Sequence, residues 1–376
     1  MATVRKVLVI GGGCAGMSAA IQLAKAGVAV DLVEIDPQWR PLGAGITITG
    51  PTLRALETIG VYEEFKRVGY VSDGVVMHAA DGRKTEELST PPPQGSKVEG
   101  NAGIMRPELA RILADATRRA KVDVRLGCTY TAINEVADGV EVSFTDQSTR
   151  KYDLVIGSDG VNSSLRALLI PEFPPPQYIG QSIWRAVLKR PAHITQPHIW
   201  FGHHLKLGMN PVSQTHMYVF ITEERPKKTH IDRSEWPTVF TDMMRQFPDP
   251  FIQSLIPEAA APAASVDYRP IANLLVPLPW NRGRVVLIGD ATAGTTPHLA
   301  SGAGIGIESA LVLAEELVRA PTLQAALDAF HARRWPRCQL VIGNSERICR
   351  LEMTGGDPAE VSRIMRESMA ALREPI

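Results

Sequence analysis

The sequence predicts an α/β fold in which a parallel sheet flanked by helices is combined with a second, mostly antiparallel sheet. Two observations indicate the parallel part. The chain starts with a strand, a glycine turn, a helix and a second strand, and two later apolar runs each lead into a glycine and an aspartate. A third observation, a strand-like stretch rich in tryptophan between residues 176 and 279, indicates the antiparallel part.

The first part of the chain reads as a complete βαβ unit. The β-branched run at residues 7–10 predicts a strand, the spacing of Ala, Ile and Leu over residues 17–26 predicts a helix, and residues 28–33 predict a second strand. A helical crossover of this length places the two strands parallel in one sheet.

The turn inside this unit predicts a site for a nucleotide pyrophosphate. In its G-x-G-x-x-G pattern, Gly11 permits a tight turn, Gly13 lets a phosphate approach the backbone, and Gly16 allows close helix packing. The helix start at Ala15 supplies unpaired N–H groups. Glu34, at the end of the second strand, can accept hydrogen bonds from ribose hydroxyls. The alternative is a purely structural turn followed by a surface glutamate.

Helices and hairpins are mixed in the following region. The apolar spacing predicts helices over residues 52–59 and 107–120, a hairpin over residues 74–88, and strands over residues 139–145 and 152–156.

The α/β pattern resumes late in the chain, after a proline-rich boundary at residues 171–176 and the strand-like region behind it. Residues 285–288 predict a buried strand, and a glycine-rich loop then leads into a helix over residues 303–318. A last helix over residues 323–351 is expected to break near Pro336.

The composition is that of a globular protein and excludes several classes. The 376 residues suit two to three domains of about 150 residues each. Forty basic and forty acidic side chains give a net charge of zero, so we expect neither nucleic acid nor a membrane as a partner. Four cysteines without a C-x-x-C pair predict a reduced, cytoplasmic protein, and no spacing of His, Cys and carboxylates predicts a metal site.

Two further segments complete a resemblance to a known family. Residues 153–166 carry an Asp-Gly pair behind a strand, and residues 289–292 carry a Gly-Asp pair. Together with the glycine turn, and in the same order, they resemble the three motifs of single-component FAD-dependent aromatic hydroxylases of the para-hydroxybenzoate hydroxylase type. The resemblance spans roughly residues 4–320 and is thin between residues 176 and 275.

The resemblance implies a Rossmann-like FAD-binding domain with an interleaved, mostly antiparallel substrate domain and C-terminal helices. The implied boundaries are 1–70, 101–175 and 280–320 for the FAD-binding domain, 71–100 and 176–279 for the substrate-binding domain, and 321–376 for the C-terminal helices.

The resemblance also implies a reaction. NADH or NADPH would reduce the bound FAD, and the reduced flavin would react with O2 to a C4a-hydroperoxide that hydroxylates a small aromatic or heteroaromatic substrate. No second unit of strand, G-x-G-x-x-G turn and helix occurs, so the nicotinamide cofactor is expected to bind transiently. The protein is expected to be a monomer or a homodimer. The alternatives are a Baeyer–Villiger or epoxidising monooxygenase, and a non-oxygenating flavin-binding oxidoreductase or sensor.

Several residues outside the glycine turn are candidate cofactor contacts. Asp290 can accept hydrogen bonds from the ribityl chain, and a helix start at Gly302, Ala303 and Gly304 can present N–H groups to the flavin edge. Helix capping and close packing are the alternative for these glycines. The family motif points to Asp159 as a contact of FAD and of the nicotinamide cofactor. The alternative is that Asp159 or Ser163 caps the following helix.

Two more cofactor contacts follow from the resemblance alone. Arg106, at a helix start, is similar to a family arginine that reaches the FAD pyrophosphate or NAD(P)H, and an ordinary exposed arginine is the alternative. Pro297 stands where the family places a proline beside the flavin ring. His298 would then face flavin or substrate, unless it is an ordinary solvent or core histidine.

The substrate region offers candidates for orienting or ionising a phenol-like group. They are the polar side chains on its predicted strands, Arg185, His203, His204 and Tyr218. A structural role is the alternative for each of them.

Overall fold

The computed structural model of the protein describes residues 2–40 and 43–376. Within these residues the strands are β1 (Lys6–Ile10), β2 (Ala29–Glu34), β3 (Gly45–Thr49), β4 (Tyr70–Ser72), β5 (Val75–Ala79), β6 (Lys84–Leu88), β7 (Asn101–Met105), β8 (Asp123–Leu126), β9 (Tyr130–Val136), β10 (Gly139–Phe144), β11 (Thr149–Tyr152), β12 (Leu154–Gly157), β13 (Gln177–Lys189), β14 (His198–Phe201), β15 (Leu205–Pro211), β16 (His216–Glu224), β17 (Asp267–Leu275), β18 (Asn281–Arg282), β19 (Val285–Leu287) and β20 (Ala293–Gly294). The α-helices are α1 (Cys14–Lys25), α2 (Gly50–Ile59), α3 (Tyr62–Val68), α4 (Arg106–Arg119), α5 (Ser164–Leu169), α6 (Trp236–Met244), α7 (Pro250–Ala259), α8 (Gly302–Arg319), α9 (Leu323–Met353) and α10 (Pro358–Arg373).

The first sheet has the strand order β18-β19-β12-β1-β2-β8 and is parallel except at its β18 edge. Its central strands are apolar and buried because helices cover one face of the sheet and the antiparallel strands β9, β10 and β11 pack on the other. From β1 the chain continues to β2 and β8 on one side, and from β12 to β19 and β18 on the other. This reversal creates a crevice at the carboxyl ends of β1 and β12. The predicted βαβ unit and parallel sheet are confirmed.

The second sheet is larger and mostly antiparallel, in the order β20-β17-β13-β16-β15-β14-β5-β6. The hairpin of β5 and β6 joins it through a parallel pairing of β5 with β14. A separate core of buried Trp, Met, Phe and aliphatic side chains lies against this sheet. The predicted α/β fold with a mostly antiparallel second sheet is therefore confirmed.

Two helices interrupt the region for which the sequence predicts strands. They are α6 and α7, and their buried positions include Phe240, Met243, Met244, Ile252 and Leu255. These apolar residues recur at helical spacing, so the helices cover the core face of the large sheet.

The predicted break of the last long helix is wrong, because α9 runs without interruption through Pro336. Packing on α8 explains the difference. Arg334 and Arg337, on either side of the proline, both form ion pairs with the buried Glu308 of α8, at 3.1 and 2.8 Å. These contacts offset the hydrogen bond that proline removes. None of the helices in the described ranges is both long and apolar enough to cross a membrane.

Candidate active site

The glycine turn after β1 has the geometry that its sequence predicts. Gly11 has a φ of +101°, which favours glycine, and a side chain at Gly16 would overlap the carbonyl oxygen of Gly11. A methyl group at Gly13, in contrast, would meet no atom within 4 Å. The turn therefore packs tightly on its inner side and leaves open space at the position predicted for a pyrophosphate.

Three distant segments of the chain meet beside this turn. Gly289, in the Gly-Asp segment, has a φ of +63°, and a methyl group there would lie 2.9 Å from the Cβ atom of Ala15. A methyl group at Gly306 in α8 would lie 3.3 Å from the same atom. The buried Arg166 guanidinium donates to the carbonyl oxygens of Ala291 at 3.1 Å and Val161 at 2.9 Å, which joins the Asp-Gly and Gly-Asp segments.

One large cavity runs from this junction to the face of the large sheet, with a volume of about 930 Å³. It includes most of the residues that the sequence analysis names as candidates. The candidates that line it are Gly13, Ala15, Glu34, Arg106, Arg185, Tyr218, Asp290, Pro297, His298, Gly302 and Ala303.

Glu34 and an unpredicted tryptophan frame the end of the cavity nearest the glycine turn. The Glu34 carboxylate accepts the Gly12 N–H at 2.7 Å and the Asp36 N–H at 2.8 Å. The Trp39 indole N–H donates to the Gly12 carbonyl oxygen at 2.8 Å. Because Trp39 follows the second strand of the βαβ unit without any motif, only the structure identifies it.

Arg106 and Asp290 both line the cavity, and their opposite charges interact. Asp290 is exposed to the cavity itself but lies deep among protein atoms, and this burial raises its pKa to about 6 against the opposing effect of Arg106. Among the described residues, no partner binds the buried Nε of Arg106. A group with both hydroxyls and phosphates, such as the ribityl pyrophosphate of FAD, fits this pair of side chains.

The Pro297 turn and the start of α8 form the next section of the cavity. Pro297, Gly302 and Ala303 line it, as their prediction as cofactor contacts requires. A side chain at Gly304 would overlap Thr52 of α2, so this glycine serves helix packing and does not face the cavity.

The prediction for Asp159 needs a correction. Its carboxylate accepts the Ser163 hydroxyl at 2.5 Å and the Leu165 N–H at 3.1 Å, and it is not among the described residues that line the cavity. These bonds satisfy donors at the start of α5. The N-cap of α5 is Ser163, whose hydroxyl accepts the Arg166 N–H at 2.8 Å, and Asp159 supports this cap.

Tyr218 ends a chain of hydrogen bonds at the wall of the cavity. The Asn210 side-chain amide donates to the Thr47 hydroxyl at 2.8 Å, and that hydroxyl lies 2.6 Å from the Tyr218 hydroxyl. Burial raises the pKa of Tyr218, and nearby Arg185 opposes this only in part. Tyr218 is therefore a neutral phenol at neutral pH.

Arg185 brings positive charge to the same wall. Its guanidinium lies 3.5 Å from the Asp267 carboxylate. Burial and the neighbouring Arg106 lower the pKa of Arg185 to about 10, so it stays protonated at neutral pH. Because Arg269 also lines this part of the cavity, the wall is suited to an anionic or oxygen-bearing ligand.

His298 does not present a free nitrogen to flavin or substrate in the cavity and matches the alternative interpretation of a core histidine. Its side chain is fully covered. Nδ1 lies 2.8 Å from the Thr296 hydroxyl, and Nε2 lies 3.1 Å from the Glu352 carboxylate. Burial lowers the pKa of His298, so the neutral ring donates from Nε2 and accepts at Nδ1.

Glu352 of α9 connects this histidine to the large sheet. It accepts a hydrogen bond from Lys206 of β15 at 2.5 Å. Burial alone would raise the pKa of Glu352, but Lys206 and His298 outweigh burial and lower it to about 2. Lys206 and Glu352 both line the cavity. Sequence analysis missed them because neither belongs to a motif.

His203 and His204 lie away from the cavity, which overturns their prediction as residues facing the substrate. Among described residues, those lining the cavity include neither histidine. Both fall in the turn between β14 and β15, not on a strand, and His204 pairs with Glu224 at 2.8 Å with 44% of its side chain exposed. In residues 2–40 and 43–376, no three His, Cys, Asp or Glu side chains lie close enough together to hold a metal ion.

A glycine turn at the switch point of a parallel sheet, joined by one cavity to a Gly-Asp segment, defines a dinucleotide-binding protein of the flavoprotein type. Comparison with known families agrees. The chain belongs to the FAD binding domain family, whose model matches residues 5–345.

Similar proteins cover almost the whole chain. The Bacillus subtilis protein YetM is 29% identical over 98% of this chain and 99% of its own length. The 2-heptyl-3-hydroxy-4(1H)-quinolone synthase of Pseudomonas aeruginosa is 30% identical over 92% of this chain and 89% of its own. The crystal structure of Klebsiella pneumoniae HpxO with FAD and uric acid has a TM-score of 0.83 at 26% identity, and the match covers 99% of this chain and 93% of that one.

These matches confirm four predictions: the family, the flavoprotein fold, FAD as the cofactor, and the class of FAD-dependent monooxygenases and hydroxylases.

Proposed function

We propose that this protein hydroxylates a small aromatic or heteroaromatic substrate with O2, using NADH or NADPH as the reductant. One atom of O2 becomes the new hydroxyl group and the other leaves as water. NAD(P)H supplies a hydride, and solvent supplies one proton. The observation that carries this proposal is the single cavity that joins the glycine turn to Arg185 and Tyr218. Uric acid and the quinolone named for two relatives are flat heteroaromatic rings, which supports the same substrate class.

The cofactor end of the cavity would hold FAD through residues with complementary chemistry. Gly13 and the start of α1 would face the pyrophosphate, Glu34 the adenosine ribose, and Asp290 the ribityl hydroxyls. Arg106 would place its unpartnered Nε–H on a phosphate or ring oxygen. Bound FAD would supply the redox chemistry by accepting electrons from NAD(P)H and activating O2.

The sheet end of the cavity would orient the substrate. If Thr47 accepts from Asn210 and donates to the Tyr218 oxygen, the Tyr218 O–H proton is directed away from Thr47 and is free to bind a substrate oxygen. Arg185 would stabilise negative charge on that oxygen, which makes the ring a better acceptor of electrophilic oxygen. Tyr218 and Arg185 are thus the proposed catalytic residues.

A cytoplasmic location fits this function. The four cysteines are all free, and Cys128, Cys338 and Cys349 are buried. NADH and NADPH are supplied in the same reducing compartment in which free thiols persist.

The test is to purify the FAD-loaded protein and screen phenolic and N-heteroaromatic acids for stimulated oxidation of NADH and NADPH under ¹⁸O2. We expect one labelled oxygen in the product. The Tyr218→Phe variant should lose about 100-fold in kcat while keeping its FAD spectrum. Reductant oxidation without labelled product from any compound would overturn hydroxylation and favour the non-oxygenating alternative.

A further inference from the structure

The cavity wall changes from charged to apolar across the large sheet. In one row of directly paired residues, Arg185 of β13 faces Phe220 of β16, Phe220 faces Gly208 of β15, and Gly208 faces Ile199 of β14. A side chain at Gly208 would overlap the Phe220 ring, so this ring covers the glycine. The wall is therefore apolar from Phe220 to Ile199, beginning one strand away from Arg185.

Apolar side chains continue along the wall to the edge of the sheet, where Phe201 has a charged neighbour in Lys206, which is paired with Glu352. Phe201, two residues beyond Ile199 on the same strand, also lines the cavity. Val75 of β5 and Leu88 of β6 form a cross-strand pair and extend the lining beyond β14.

Helix α10 supplies an apolar wall to the same part of the cavity. Met365 and Met369 line it, and both pack against the cluster around Leu299, directly after the Pro297 turn. The helix is fixed to the sheet edge because Ser362 and Arg366 donate to the Glu86 carboxylate at 3.3 and 3.2 Å. Methionine side chains adapt to ligands of varied shape.

We infer that the substrate carries an apolar substituent, such as an alkyl chain of several carbons, in a tail subsite next to the reacting ring. The tail subsite is formed by Val75, Leu88, Ile199, Phe201, Met365 and Met369. The polar ring lies toward Arg185 and Tyr218, and the chain lies between β14 and α10. This inference rests on the proposed function and deepens it. Arg185 at the ring end of the cavity and apolar side chains in the tail subsite together favour an amphipathic aromatic compound.

Two series of compounds test the inference on the FAD-loaded protein. The first contains 4(1H)-quinolones with hydrogen, methyl, butyl or heptyl at carbon 2, and the second contains salicylates with the same groups at carbon 4. Binding is measured as the dissociation constant from the change in the flavin spectrum, and turnover as ¹⁸O incorporation. Affinity should increase about fourfold for each methylene buried in the tail subsite, in at least one series.

Three variants locate the effect. Met369→Gln keeps the length of the side chain but adds a polar amide, so it should flatten the dependence on chain length while leaving the affinity for the unsubstituted ring unchanged. Met369→Leu is the matched control and should retain the dependence. Ile199→Thr, on the strand β14 side of the subsite, should also flatten the dependence on chain length. It replaces Met369→Gln in the test if that variant does not fold.

Each outcome decides between the two proposals. Equal affinity and equal ¹⁸O incorporation for all chain lengths would overturn the tail subsite and leave the hydroxylase function intact. Chain-dependent binding without ¹⁸O incorporation would support the subsite and count against hydroxylation. Dependence on chain length that survives both polar variants would place the chain elsewhere and overturn the assignment. No binding of any member would overturn the tail subsite, whereas hydroxylation is decided by the broader ¹⁸O2 screen.

Discussion

At the scale of single residues, we expect Asp290 to make the affinity for FAD sensitive to pH. Its pKa of about 6 means that the free protein carries an ionised carboxylate above pH 6 and a protonated one below it. The ionised form accepts hydrogen bonds from hydroxyl groups better, so bound FAD favours it. We expect the affinity for FAD to be constant above pH 6 and to fall as the pH decreases below 6.

Titration of the apoprotein with FAD between pH 4.5 and 8 measures this dependence. Asp290→Asn removes the ionisable group and keeps one acceptor oxygen, so it should bind FAD more weakly at pH 8 and lose the dependence near pH 6. An identical pH profile in this variant would show that another group titrates.

Glu352 is predicted to stabilise the folded state through its ion pair with Lys206. Since its pKa falls from the usual 4.5 to about 2, this contribution is complete above pH 4.5 and is lost as the pH falls toward 2. Glu352→Gln leaves the largely buried Lys206 unpaired and should cost about 3 kcal/mol of unfolding free energy at pH 7.

Urea unfolding of the wild type and of Glu352→Gln at pH 7 and pH 3 checks this. The difference between them should be smaller at pH 3. A difference of the same size at both pH values would assign the loss to packing instead of charge.

Sequence reasoning identifies residues whose chemistry depends on a local pattern and misses those that meet through the fold. Gly13 and Asp290 lie in motifs, and the structure places both on the cavity. Lys206 and Glu352 are 146 positions apart, and only the approach of α9 to β15 brings them together. His298 was identified by position, but its orientation depends on Glu352.

At the scale of elements, substitution of Gly13 and of Gly16 in the first turn is predicted to have different effects. Gly13 has an extended backbone with φ of −77° and open space around it, so Gly13→Ala should change the stability of the apoprotein by less than about 0.5 kcal/mol. The added methyl group should still weaken FAD binding, because it occupies the path of the pyrophosphate. Gly16→Ala should lose at least about 2 kcal/mol of stability, because its methyl group overlaps the backbone of Gly11.

Thermal unfolding of both apoproteins and FAD titration of the folded ones separate these effects. Strong destabilisation by Gly13→Ala would mean that the space beside it is not kept open for a ligand.

Elements with a clear local period could be predicted, whereas tertiary contacts decided the others. The helix predicted over residues 303–318 matches α8 to within one residue at each end. Local rules gave a break at Pro336, but the ion pairs of Glu308 hold α9 straight across it. The helices α6 and α7 were missed because tryptophan and proline in that region also suit strands and loops.

At the scale of the whole molecule, FAD should act as a structural component. The cavity is bounded by segments near residues 12–40, 158–161 and 289–306, so FAD bound in it would contact all three and would bind only when they are assembled. Free FAD at 100 times its Kd should therefore raise the unfolding free energy by about 2.7 kcal/mol. A thermal scan with increasing FAD measures this, and a melting temperature independent of FAD concentration would contradict it.

Each of the two large sheets contains strands from both the N-terminal and the C-terminal part of the chain. A protease cut in the exposed stretch at residues 171–176 would leave β5 and β6 of the large sheet on the N-terminal fragment. The C-terminal fragment would retain β18 and β19 of the parallel sheet. Each fragment then completes a sheet of the other, so the nicked molecule should elute as one particle and separate only in denaturant. For the same reason, a gene segment encoding either half alone should yield insoluble material with an unpaired sheet edge.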